Sequence, residues 1–124
     1  MKNVSFDFDG TLEFSDVQAY AALLMKRDDV TVWITTRRLP DNDKHNNFKL
    51  HAVAKKLGIP KERITFCSLQ LKYTVISDRP FIWHLDDDPE DLKTLAKSSN
   101  IKCIQYMKGG RWMGFCEKFL KQQI

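Results

Sequence analysis

Cysteine is scarce: Cys67, Cys103 and Cys116 make an odd number with no C-x-x-C pair among them. That excludes a disulfide framework and a cysteine-based zinc site, and it suits a reducing, cytoplasmic setting. No apolar run approaches the roughly 20 residues of a membrane-spanning helix. The opening MKNVSFDFDG also lacks the layout of a secretory signal, so no membrane partner is expected. Repeats and low-complexity stretches are absent, and the 124 residues read as one domain, 1–124. With 43% apolar and 29% charged residues, the composition is that of a folded globular chain and excludes a disordered one.

What is present is a mild basic excess, a net charge of +4. It clusters at Arg37–Arg38, Lys44, Lys55–Lys56, Lys61 and Lys108 to Arg111. Such a surface attracts phosphorylated or polyanionic partners, although solubility alone accounts for it equally well.

Hydrophobic patterning alternates strand and helix. Val4–Phe8, Val30–Ile34, Ile64–Cys67, Phe81–Leu85 and Ile101–Tyr106 read as strands. Ser15 with Gln18 fits a capping box opening a helix with Val17, Tyr20, Ala21 and Leu24 on one face. Asn47–Leu57 is a second helix, with Leu50, Val53, Ala54 and Leu57 inward and Gly58 as its stop. Asp88-Pro89-Glu90-Asp91 is a strong helix start. Trp112, Phe115, Cys116, Phe119 and Leu120 trace the stripe of a closing helix. The expected fold is α/β: a three-layer, Rossmann-like arrangement with a five-stranded parallel sheet and helices on both faces.

In such a sheet, ligands bind beyond the carboxyl ends of the strands. Asp7 and Asp9 follow the first strand, Thr35 ends the second, and Asp86, Asp87 and Asp88 follow the fourth, with Lys72 after the third. Carboxylates gathered at one edge repel unless a cation lies between them. Oxygen ligands without histidine or cysteine suit a hard metal, Mg²⁺. A metal-neutralised carboxylate is a competent nucleophile toward phosphorus, Thr35 offers a donor, and Lys72 offers positive charge. His84 reads as a buried, satisfied side chain, His45 and His51 as surface residues, and Trp33, Trp83 and Trp112 as core aromatics. Trp112 also stands close enough in sequence to Lys108–Arg111 to border the site mouth.

The run DFDGTL, Asp7 to Leu12, resembles the first motif of the haloacid dehalogenase-like (HAD) phosphohydrolase superfamily. VWITTR resembles the second motif, with Thr35 at the Ser/Thr position, Lys72 is the best third-motif lysine, and HLDDDPEDL resembles the acidic fourth. The resemblance implies that Asp7 is the nucleophile and forms an aspartyl-phosphate, with Asp9 as general acid and base. It implies Mg²⁺ held by Asp7, the backbone carbonyl of Asp9, and Asp87, with Asp86 beside them and Asp91 at the D-x-x-x-D spacing. An acid rather than threonine at the second position points to phosphatase chemistry. Gly10, Thr11, Thr36, Arg37 and Arg38 are the expected phosphate and substrate contacts.

Only 14 positions separate Lys72 from Asp86, which leaves room for a very short helix over Tyr73–Asp78. The intervals Thr11–Thr35 and Thr35–Lys72 have no room for a cap domain, so an open site is expected. In this family an open site tends to imply a large substrate or a lid from another subunit; nucleic-acid ends, nucleotides and phosphoproteins are candidates. The basic loop Thr36–Lys49 is then the foremost substrate-contacting segment.

Three alternatives bear on this reading. A calcium loop is excluded because the glycine of DFDG stands fourth, not sixth. A bacterial receiver domain shares the strand number and acidic pair but needs an aspartate after the third strand, where Phe66-Cys67-Ser68 stands. A non-catalytic phosphate-binding or regulatory protein of the same fold is the other class; the intact Asp7 and Asp9 argue against it.

Overall fold

A computed structural model describes residues 1–44 and 46–122, so the reading of His45 lies outside the described residues. Five strands, β1 (Lys2–Phe6), β2 (Val30–Thr36), β3 (Ile64–Phe66), β4 (Phe81–Asp86) and β5 (Lys102–Gln105), form one all-parallel sheet. The order is β3-β2-β1-β4-β5, the Rossmann-like order. The receiver fold places its strands 2-1-3-4-5, so that alternative is excluded by topology. Chain direction reverses its progress across the sheet between β1 and β4, which opens a crevice at their carboxyl ends.

Helices cover both faces. On one face, α1 (Ser15–Met25), α2 (Phe48–Leu57) and α5 (Trp112–Lys121) bury Tyr20, Leu50 and Trp112 against Phe6, Ile34 and Trp83. On the other, α3 (Tyr73–Ile76) and α4 (Pro89–Ser98) bury Ile76 and Leu95 against Phe81 and Ile101. Between Thr36 and Lys72 lie only a loop, α2 and β3 with a short helical turn ahead of it, so no cap domain stands over the sheet edge among the described residues. None of the described helices is long and apolar enough to cross a membrane.

Several local details differ from the sequence reading. The capping box at Ser15 does not form: Phe14 takes the cap position, and the Gln18 amide reaches back to the Glu13 carbonyl instead. Phe115 is half exposed rather than inward. The sheet-facing row of α5 runs Trp112, Cys116, Leu120 at four-residue spacing, and Phe115 falls on its rim. Val53 and Leu57 are half-buried at the edge of the core. Trp112 is buried against Tyr20 and Tyr106, not at the site mouth. Gly58 does stop α2, with a left-handed φ of 85°.

Candidate active site

β1 ends at Phe6, and its next residue keeps the ladder: the Asp7 amide donates to the Leu85 carbonyl at 2.9 Å. The chain then turns sharply over Phe8–Leu12, with Gly10 at φ 78°. A Cβ at Gly10 would overlap the Asp87 carboxylate, so the glycine gives both the turn and the room for that acid. One oxygen of Asp7 accepts from the Thr11 hydroxyl at 3.1 Å, and the other lies 3.1 Å from Lys72 Nζ.

Lys72 is buried and joins three acids. Its ammonium lies 2.7 Å from Asp86 and 3.0 Å from Asp91, as well as against Asp7, and its backbone amide donates to Asp91 at 2.9 Å. The short interval to Asp86 closes because α3 is a single turn. Asp91 is therefore the clamp that fixes Lys72 from α4. Asp88 caps α4 by accepting from the Glu90 amide, and it faces Arg37 at 3.7 Å. Asp87 remains at the surface. Carboxylate oxygens of Asp7, Asp86 and Asp87 all lie within 4.8 Å of one another.

The electrostatics reflect crowding. Burial, reinforced by Asp86, pushes the Asp7 carboxyl well above the usual carboxylate range even with Lys72 beside it. Burial opposes ionisation of Asp86 too, but hydrogen bonds from His84 and Lys72 prevail and hold it well below that range. Burial raises Asp87. Burial alone would depress the Lys72 ammonium, whereas Asp7, Asp86 and Asp91 together raise it above its ordinary value. One ammonium cannot neutralise this many carboxylates. The all-oxygen donor set and the residual negative charge fit a hard divalent cation, which Asp7, Asp86 and Asp87 could hold.

Beneath the cleft runs a buried polar chain that crosses three strands. Thr35 and Ser5 hydroxyls lie 2.7 Å apart, Ser5 meets His84 Nδ1 at 2.9 Å, and His84 Nε2 meets Asp86 at 2.9 Å. Thr35 thus sits under the cleft, bonded to Ser5, and not on its wall. The participation of Ser5 escaped the sequence reading. Its only signal there was position, two residues before Asp7 and so on the same sheet face.

The remaining expected residues divide between wall and support. Arg37 lines the cleft with the acids and donates to the Leu69 carbonyl at 3.1 Å. Arg38 is engaged by Asp9 through two bonds of 2.8 and 2.7 Å and lies over the Phe8 ring. The Asp9 carboxylate is accordingly outside the acidic trio, and the Arg38 guanidinium holds it below the usual carboxylate range. Thr36 accepts from the Arg38 amide, Thr11 braces Asp7, and Gly10 leaves room for Asp87. The cleft is small, about 160 Å³, and open.

No family model matches the sequence, and no curated protein matches it. Among solved structures, a crystal structure of an uncharacterized protein from Corynebacterium glutamicum is similar, with a TM-score of 0.68 and 13% identity. The match covers 98% of this chain and 96% of that one. At this identity the likeness concerns the fold: a Rossmann-like, three-layer α/β domain, here with an acidic crevice at its topological switch point.

Proposed function

We propose that the chain is a capless, Mg²⁺-dependent phosphomonoester hydrolase of the HAD type. The observation that carries this reading is the Asp7–Asp86–Asp87 cluster, with Lys72 against Asp7, at the carboxyl edge of β1 and β4. Bound Mg²⁺ would supply charge neutralisation for Asp7 and for the phosphoryl oxygens.

The chain's own residues then divide the work. An oxygen of Asp7 attacks phosphorus and the bond to the leaving oxygen breaks, giving an aspartyl-phosphate. Asp9, protonated once Arg38 has released it, gives the leaving oxygen its proton. A water, deprotonated by Asp9, next attacks phosphorus; the bond to Asp7 breaks, and inorganic phosphate leaves. Lys72 holds the Asp7 carboxylate in place and offsets the charge that develops on the transferring group. Nucleic-acid ends or nucleotides are the substrate class that the open, basic-rimmed site favours.

A second reading has one observation on its side. Arg38 occupies Asp9, as it would in a phosphate-binding or regulatory protein that does no proton transfer. Hydrolysis of p-nitrophenyl phosphate with Mg²⁺ decides between the two. Turnover that is lost on chelation and lost in Asp7→Asn is the expected result; no turnover on any of a broad panel, including 3′-phosphorylated DNA and RNA, supports the second.

A further inference from the structure

A second cleft, about 510 Å³, lies at the same sheet edge and is lined by Phe14, Asp16, Tyr106, Lys108 and Gly109. Its place follows from the backbone. Asp86 pairs with Gln105, and the Tyr106 amide donates to the Asp86 carbonyl at 2.8 Å. Tyr106 thus follows β5 directly beside the end of β4, where Asp86 joins the acidic cluster. On the opposite wall the Phe14 amide donates to the carbonyl of Thr11, the residue that braces Asp7. Along the chain, the turn at Gly10–Glu13 links Asp9 of the first cleft to Phe14 of the second.

The walls have a definite chemistry. Phe14 stacks on Tyr106 with ring centres 5.9 Å apart and planes inclined by 26°. Tyr106 is fixed by its hydroxyl proton, shared between the two Asp16 carboxylate oxygens, and rests edge-on against buried Trp112. Phe14 nevertheless stays 44% exposed, so the stack is partly open to solvent on the Phe14 side. In the same lining, Lys108 is exposed and has no carboxylate partner among the described residues, and Gly109 presents bare backbone. A flat aromatic ring with polar atoms along its edge matches this surface: the ring extends the stack, and the Lys108 ammonium and the Gly109 backbone can meet the edge.

We infer that this cleft takes the nucleobase of a nucleoside monophosphate whose phosphate reaches the Asp7–Asp86–Asp87 cluster, with the sugar bridging the turn between them. The inference deepens the phosphatase reading and rests on it for the position of the phosphate; the base site stands on the cleft itself.

The test has a binding arm and a turnover arm. In chelator, where no hydrolysis occurs, the full chain is titrated with adenosine, guanosine, cytidine and uridine, and with ribose as control, while backbone amide NMR shifts are followed. At least one nucleoside should move the amides of Phe14, Tyr106 and Gly109, and ribose should not. Phe14→Ala should weaken that nucleoside roughly tenfold, the usual worth of one base–aromatic stack, while Phe14→Trp retains it. Phe14→Leu guards against a folding artefact, since it keeps apolar bulk but loses the stack and should weaken binding as well.

In the turnover arm, KM for the matching monophosphate should lie below that for ribose 5-phosphate, and Phe14→Ala should erase the difference. A 3′-phosphorylated oligonucleotide, run alongside, tells a free nucleotide from a chain end. Nucleoside binding without any phosphatase activity would remove the phosphatase reading and leave the base site. Mg²⁺-dependent hydrolysis with no nucleoside-induced shift, or with Phe14→Ala weakening ribose 5-phosphate as much as the nucleotide, would overturn the base site and leave the phosphatase.

Discussion

Arg38 grips Asp9 with two nearly parallel hydrogen bonds, and the same guanidinium reaches buried Asn47 at 3.4 Å. Asn47 in turn binds the Leu39 carbonyl and Asp41, so the basic loop is tied to the proposed acid and base by a continuous polar chain. Removing Arg38 therefore does more than subtract a surface charge. Because Arg38 favours ionised Asp9, Arg38→Ala should raise kcat on alkyl phosphates, whose leaving oxygen needs a proton, relative to kcat on p-nitrophenyl phosphate, which leaves without one. Equal losses on both would mean that Arg38 acts on phosphate binding and not through Asp9. The stability effect has a sign too. Because the pair lowers the Asp9 pKa, its contribution is present above the ordinary value of 3.8 and is lost as pH falls through the folded value. The melting-temperature deficit of Arg38→Ala should shrink accordingly in acid.

Asp7 carries the opposite sign. Its folded pKa is raised by burial and by Asp86, so ionisation there destabilises the metal-free fold as pH rises from the ordinary carboxylate range through the folded value. Asp7→Asn should abolish turnover and yet melt higher than the wild type in chelator, by a margin that widens with pH. Mg²⁺ should raise the wild-type melting temperature and raise that of the variant less. A variant that melts lower than wild type at neutral pH without metal would show that Lys72 already neutralises the site.

Lys72 is the keystone of the buried charges. Lys72→Met leaves Asp7, Asp86 and Asp91 buried together without their cation, and removing one partner of such a cluster typically costs about 3–5 kcal/mol. Urea denaturation at pH 7 should show a loss of that order, reduced in acid, where the carboxylates take up protons.

Gly10→Ala tests the cradle around Asp87. The left-handed backbone and the overlap with the carboxylate both oppose a methyl group there. Calorimetric titration with Mg²⁺ should show at least tenfold weaker binding while the sheet remains folded by circular dichroism; unaltered binding would take Asp87 out of the metal set.

The cysteines should be inert. Burial pushes the Cys67 thiol up to about 11 and Cys103 up to about 11 as well, so thiolate is scarce at pH 8. Ellman's reagent should label the native protein slowly at both, and quickly once urea has exposed them.

Which parts of this protein are written in local sequence follows from the range of the forces involved. The strand cores and the helix faces of α1 and α4 are legible because a sheet or helix records its buried face as a period. Asp7, Asp86, Asp87 and Lys72 are legible as site candidates because the end of a strand is a place that topology can be trusted to bring to one edge. Tertiary structure alone decided their division of labour. Asp86, Asp88 and Asp91 look alike in HLDDDPEDL, yet one belongs to the acidic trio, one caps a helix and one clamps Lys72. Those assignments depend on ångström distances between β4, α3 and α4, which no spacing along the chain encodes. The Ser5–His84 link, the capture of Asp9 by Arg38 and the Phe14–Tyr106 stack belong to the same class. Each joins residues 29 or more positions apart, and only the folded chain brings their side chains within reach of one another.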